Sequence, residues 1–288
     1  MPSIPFQPLT REAVLAQLRT KTLGRSLHVL DEVASTNTYA SELAQRGAGH
    51  GTVVVAERQT AGKGRLGRHW HSPAAGNLYC SVIIQQPVPP ALLATWLSWL
   101  PLVSAVSVAR AVQTIAEVHP SLKWPNDVLI GDWKLGGLLC ESGGWSAPSS
   151  PSRPVTDRLE GFVVIGIGLN VNMGRGDFPE ELRSLATSLA EETSHAVDRS
   201  VLLAAILSEL EDSTERLLPS LSKERDRFVT EYSRWCTTLG RPVRVSLADG
   251  RTVEGRADSI GTDGSLRLVL AETGTTLEIR AGDVLHLR

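Results

Sequence analysis

Along this chain the spacing of apolar and polar positions keeps changing, and each change predicts an element. Apolar residues from Arg11 to Thr20 recur at helical spacing behind Thr10, a hydroxyl suited to an N-cap, and predict a short helix. His28–Val33 and the β-branched run Thr52–Glu57 read as strands. Between them, Ser35, Thr36 and Asn37 offer N-cap chemistry for a helix ending near Arg46-Gly47. A strand is expected at Asn77–Gln85, then a helical region at Ala91–Val118 that Pro101 should bend into a pair of helices. Leu122–Trp124, Val128–Ile130 and Lys134–Glu141 are short strands, the last two joined by a Gly131-Asp132 hairpin turn. Ser142–Arg158 is rich in Ser, Pro and Gly and reads as a flexible surface loop between paired strands. The strand Phe162–Asn172 follows, with helices predicted at Pro179–Glu191, Arg199–Leu217 and Lys223–Thr237.

The pattern changes again near Leu239. From Arg241 onward, short alternating strands are separated by the turn signals Asp249-Gly250, Thr262-Asp263-Gly264 and Thr273-Gly274, which predicts a small antiparallel barrel of the SH3-like sort. The expected architecture is therefore α+β over residues 1–238 and small β over residues 239–288.

Composition narrows the partners. A chain of 288 residues can bury a full core, and its net charge of −2 gives it no general attraction to nucleic acid or to a membrane surface. Cys80, Cys140 and Cys236 are far apart and lie outside any CxxC or Cys/His cluster, so they read as reduced thiols of a cytoplasmic protein. No apolar segment of a signal peptide is read at the N-terminus. Ala91–Ala109 carries no charge and approaches membrane-span length, but its proline and serines favour a buried helix.

Charge is distributed unevenly. Residues 58–116 contain no Asp or Glu, and Arg58, Lys63, Arg65 and Arg68 stand close together in a glycine-rich stretch. Glycines let backbone N–H groups approach a ligand and the cations neutralise its charge, so this loop suits an anion. Gly62-Lys-Gly-Arg-Leu-Gly67 also spells GxGxxG. It opens no helix, and no acid follows at the distance a dinucleotide fold requires, which excludes NAD.

Two further clusters follow. In Lys123-Trp-Pro-Asn-Asp127, Pro125 holds Trp124 extended and Asn126-Asp127 turn, so that the next hairpin returns Lys134 beside them. Groups of both signs at a sheet edge suit phosphate, metal and carboxylate together. The strand containing Gly166 and Gly168 ends in Asn170 and Asn172, and its glycines predict a close backbone approach. His69 and His71 lack a third ligand at metal spacing, and Trp96, Trp99, Trp133, Trp145 and Trp235 read as packing or surface aromatics.

Taken in order, Asp31-Glu-Val-Ala-Ser-Thr-Asn37, Gln59-Thr-Ala-Gly-Lys-Gly-Arg-Leu-Gly-Arg-His-Trp70, Lys123-Trp-Pro-Asn-Asp127, Lys134-Leu-Gly-Gly137 and Gly166-Ile-Gly-Leu-Asn170 resemble the biotin–protein ligases. The resemblance runs from about Leu27 to the C-terminus. It implies a mixed, mainly antiparallel sheet flanked by helices, like a class II synthetase, with the small barrel behind it. It implies an ATP-dependent ligase that makes biotinyl-AMP and passes biotin to a lysine of a biotin carboxyl carrier protein, with Mg²⁺ accompanying ATP.

By the same resemblance, Ser35, Thr36, Asn37 and Gln59 would hold the ureido ring of biotin, with Gly62, Lys63, Gly64, Arg65, Lys134 and Gly136 completing its site. Lys63, Arg65, Arg68, Trp70, Lys123, Asn126 and Asn170 would serve ATP and the adenylate, with Trp70 stacking on adenine. Arg65, Lys134 and Asp127 would be catalytic and Asp127 would meet Mg²⁺. One departure is Lys63, where many relatives have arginine; lysine keeps the charge without the planar fork.

Two other functions suit parts of this sequence. A lipoate or octanoyl transferase has a similar fold, but the KWPND cluster and the GKGR loop favour biotin. A DNA-binding repressor needs a helix-turn-helix, and only one short helix is predicted before His28, so no specific DNA binding is expected. The resemblance leaves open a homodimer through an exposed sheet edge.

Overall fold

The computed structural model describes residues 8–74, 76–147, 158–221, 225–247 and 249–287. The large unit is built, in chain order, from α1 (Arg11–Gln17), β1 (Leu27–Val33), α2 (Thr36–Gln45), β2 (Val53–Gln59), β3 (Leu78–Ile84), α3 (Pro90–Ala116), β4 (Pro120–Lys123), β5 (Asp127–Ile130), β6 (Trp133–Ser146) and β7 (Glu160–Leu169). Helices α4 (Leu189–Thr193), α5 (Arg199–Leu221) and α6 (Arg225–Trp235) follow. The strands form one sheet in the order β1-β2-β3-β7-β6-β5-β4, with β1 and β2 parallel and the other neighbours antiparallel.

The central strands are mainly apolar because both faces are covered. All seven residues of β3 are buried. Cys80, Val82 and Ile84 face the core shared with α3 and α5, while Ile83 packs with Val54, Val164 and Ala40 under α2. A strand sandwiched in this way reads as a continuous hydrophobic run, as the sequence does.

Helix α3 is long and apolar enough to cross a membrane by length and composition. In the fold it is a core helix: Trp96, Trp99, Leu100, Val108 and Val112 are buried. The pair of helices expected from Pro101 is instead one continuous element. Pro101 removes a single helical donor, and burial on either side of it holds the helix together.

Three further expectations are corrected. Pro179–Glu191 is not one helix: a short helical turn at Glu180–Leu182 and the turn after it give way to a β-bridge at Ala186, and α4 begins only at Leu189. The cause is competition for backbone partners, since Lys134 N–H donates to Leu185 O (2.8 Å) and Thr187 N–H donates to Lys134 O (2.9 Å). The loop expected from Ser142 begins later, because β6 runs on to Ser146, with Gly143 opposite Phe162 and Ser146 opposite Glu160; residues 148–157 lie outside the described residues. The helices expected at Arg199–Leu217 and Lys223–Thr237 end at Leu221 and Trp235 instead.

Five strands complete the chain: β8 (Pro242–Leu247), β9 (Thr252–Ile260), β10 (Leu266–Leu270), β11 (Thr276–Ile279) and β12 (Gly282–His286). They make an antiparallel sheet in the order β11-β10-β9-β8-β12. Val243 and Val245 are buried while Arg244 is exposed, the alternation of a sheet with one wet face. The indoles of Trp99 and Trp124 donate to Thr262 O (3.0 Å) and Gly264 O (3.1 Å), and the apolar core continues across this junction. This sheet thereby stands beside one end of the large one.

Candidate active site

An open cleft of about 760 Å³, its solvent-filled mouth included, lies where the N-terminus of α2, the glycine-rich loop, the β4–β5 turn and strands β6 and β7 meet. Its floor is polar and tightly bonded, and among the described residues Glu141 is its one carboxylate. Ser35 sits at the N-cap position of α2 but forms no side-chain cap, contrary to its expected capping role. Gln59, at the end of β2, caps instead: its Oε1 accepts from Thr36 N–H (2.9 Å) and Thr36 Oγ1 (3.1 Å), and its Nε2 donates to Ser72 Oγ (2.9 Å). Ser81 Oγ lies 2.8 Å from Thr36 Oγ1 and 2.7 Å from Asn37 Oδ1. Asn37 Nδ2 donates to Leu139 O (3.1 Å) and to Glu141 Oε2 (2.8 Å).

The glycines of β7 make this floor possible. A Cβ at Gly166 would overlap the Asn37 amide, and one at Gly168 would stand 2.7 Å from the Trp70 indole. The close approach expected from the sequence is therefore made by the protein's own side chains.

The other end of the cleft is cationic. Lys134 Nζ is 2.6 Å from Asp127 Oδ1 and lies over the Trp70 ring, 5.4 Å from its centre. The loop carrying Arg65 folds back on itself, with Gly64 N–H donating to Arg68 O (2.7 Å) and Trp70 N–H to Gly62 O (2.9 Å). Arg65 donates to Asn126 Oδ1 (3.2 Å) and Gly282 O (3.1 Å). Arg68 grips Asp283 with both terminal nitrogens, at 3.1 and 2.5 Å.

Burial sets the electrostatics. It pushes the Arg65 guanidinium below its ordinary pKa, against the pull of Asp283 and Asp127. It likewise lowers Lys123, again opposed by Asp127 and Asp283. Burial works upward on Asp283, but its bonds to Arg68 hold the carboxyl below the usual carboxylate range. The arrangement combines a hydrogen-bonding pocket with a half-desolvated cluster of cations, and it can hold a polar heterocycle at one end and bring anions together at the other.

Comparison with known proteins decides the family. A family model described as the biotin/lipoate A/B protein ligase family matches residues 29–148. The chain is 35% identical over 289 residues to the biotin–[acetyl-CoA-carboxylase] ligase of Mycobacterium tuberculosis, covering 98% of this chain and 97% of that protein. The chain belongs to the biotin protein ligase family. It is also 37% identical to the bifunctional ligase/repressor BirA of Bacillus subtilis, over 90% of this chain and 74% of that one. Among solved structures, the biotin protein ligase of Aquifex aeolicus in complex with biotin and ATP superposes with a TM-score of 0.70, at 31% identity, covering 92% of this chain and 99% of that one.

Within this biotin protein ligase fold, Ser35, Thr36, Asn37, Gln59, Lys63, Gly64, Arg65, Arg68, Trp70, Asn126, Asp127 and Lys134 all line the cleft. Four of the residues singled out in the sequence do not. Asn170 is drawn into the backbone behind it, its Nδ2 donating to Thr187 O (3.0 Å). Gly62 packs on Trp70 O and Ser72, and Gly136 packs on the β7 backbone. Lys123 pairs with Asp127 across the β4–β5 ladder and acts on the cleft through its charge.

Sequence reasoning missed Asp283, Gly282, Ser81 and Glu141. Asp283 lies in an alternating strand more than two hundred residues from Arg68, where only tertiary contact reveals it. Ser81 is a lone polar residue in an apolar run, and that interruption was the available signal.

Proposed function

We propose that this chain joins the carboxylate of biotin to the α-phosphate of ATP, releasing pyrophosphate, and then transfers the biotinyl group from AMP to one lysine of a biotin carboxyl carrier protein. The observation that carries this reading is the convergence of Lys134, Arg65 and Arg68 on a cleft whose far end is the neutral Thr36–Asn37–Gln59 floor.

In the first step a carboxylate oxygen attacks the α-phosphorus while the bond to pyrophosphate breaks. Two anions must meet, so fixed cations lower the barrier. Lys134 and Arg65 supply them. Asp127 holds Lys134 in place, and Asn126 with the Gly282 carbonyl does the same for Arg65. In the second step the carrier's amine attacks the acyl carbon, the bond to AMP breaks and the amine gives up a proton, for which Asp127 is the proposed acceptor. Arg68 and Trp70 close the loop over the anhydride and keep water away.

No cluster of three or more His, Cys, Asp or Glu side chains gathers among the described residues, so the donor set does not cage a metal. It does suit an ion that arrives on ATP and meets a single carboxylate, and Asp127 would be that carboxylate. When bound, Mg²⁺ neutralises charge on the departing pyrophosphate.

The reading is tested by incubating the purified chain with labelled biotin, ATP and a carrier domain, with lipoate as the competing acid. Pyrophosphate release and label on one carrier lysine are expected; labelling by lipoate but not by biotin would overturn it. The same reading makes the enzyme cytoplasmic, without a specific DNA or membrane partner. A gel shift tests the DNA expectation, and sedimentation decides whether a homodimer forms.

A further inference from the structure

The polar floor includes one charged group that the mechanism above does not use. Glu141 projects from β6, opposite Val164 of β7. One of its oxygens accepts from Asn37 Nδ2 at 2.8 Å, and the other lies 3.8 Å from Lys63 Nζ. With both side chains partly exposed, the ion pair contributes little by itself. The bond to Asn37 matters more.

An asparagine amide shows a ligand either an acceptor or two donors, depending on which way it is turned. Asn37 has no freedom in this respect. Its nitrogen faces Leu139 O and the Glu141 carboxylate, two groups that only accept, so both N–H hydrogens are committed. Its oxygen lies on the side of Ser81 Oγ, over Gly166. One accepted bond leaves a lone pair, and Asn37 can therefore offer a ligand only an acceptor.

We propose that Glu141 is a positioning residue that locks the Asn37 amide so that this end of the cleft accepts an N–H from the substrate ring, and that it thereby contributes to selection of a cyclic urea. The inference rests on the biotin reading and deepens it. Glu141 also ties Lys63 of the glycine-rich loop to the floor, so the same carboxylate links ring recognition to the loop that carries the cations.

The test compares the wild type with Glu141→Ala and Glu141→Gln, using biotin and an analogue in which a ring oxygen replaces a ureido N–H. Direct binding and steady-state adenylate formation are both measured. Glu141→Ala frees the amide to turn, so KM for biotin should rise about ten-fold (about 1.4 kcal/mol) with kcat nearly unchanged, and the preference for biotin over the analogue should collapse. Glu141→Gln restores a neutral acceptor for Asn37 Nδ2 and should recover most of that preference. Should Glu141→Ala fail to fold, the Gln variant decides, because a glutamine that loses discrimination despite keeping the hydrogen bond overturns the proposal. Unchanged discrimination in Glu141→Ala also overturns it. A wild-type protein that binds neither compound would instead refute the biotin reading itself.

Discussion

Replacing Lys134 by methionine removes a cation while keeping most of the side chain's bulk, and its cost can be worked from the site. Two unit charges about 4 Å apart repel by about 4 kcal/mol at an effective dielectric of about 20, and the carboxylate and α-phosphate must come at least that close. Lys134 and Arg65 both line the cleft, and in the proposed mechanism they serve this point, so losing one of the two should restore about half to all of the repulsion. That is about 2–4 kcal/mol, or about 30- to 1,000-fold in the rate of adenylate formation. The fold should hardly notice: the Lys134–Asp127 pair is partly solvated, with side chains 36% and 19% exposed, and such pairs contribute at most about 1 kcal/mol. The assay is single-turnover pyrophosphate release from ATP and biotin, run beside a denaturant melt and a transfer assay supplied with preformed adenylate. Wild-type pyrophosphate release by the Lys134→Met protein would refute the electrostatic argument. A loss of rate matched by a loss of folded protein would assign Lys134 a structural role instead.

Gly168→Val should force the Trp70 ring off β7, raising KM for ATP while biotin binding to the opposite end persists; equal loss of both ligands in titration calorimetry would show the two ends to be inseparable. Arg199 and Glu57 form a buried pair at 2.8 Å, with side chains 3% and 12% exposed, so Arg199→Met should destabilise by about 3–5 kcal/mol. A denaturation midpoint within error of wild type would contradict this. His286 is pushed down from 6.5 to about 4 by burial, with Lys123 and Arg241 adding to the effect. The unfolded chain therefore binds this proton first, and the stability associated with neutral His286 is complete above about 6.5, lost progressively as pH falls toward about 4, and constant below that. His286→Gln should flatten that part of the stability–pH curve, and an unchanged slope would show that another group is responsible.

Much of the local structure was legible because local chemistry decides it. The buried run of β3, the turn after Pro125 and the Gly131-Asp132 hairpin follow from residue type and spacing over a few positions. So does the concentration of cations between Arg58 and Arg68, since charge is readable without coordinates. Where local preference met a competing backbone partner, the reading failed. The segment 185–187 had a helical pattern, but the start of β6 at Lys134 bonds to it on both sides of Ala186 and interrupts the helix.

Tertiary structure alone decided which groups share the cleft. Asp283 and Gly282 come to Arg68 and Arg65 only because the small sheet stands against α3 and Trp124. Asn170 carries a motif residue's identity, yet it is turned inward by Thr187 O. Glu141 binds Asn37 only because β7 lies between β3 and β6, with a glycine at the point of contact. Sequence alone determined the chemistry this protein has available, because side-chain type and short-range spacing are properties of the chain itself. Which hydrogen bonds those groups spend on one another, and which they keep for a ligand, depends on distances that exist only once residues far apart in the chain are packed together.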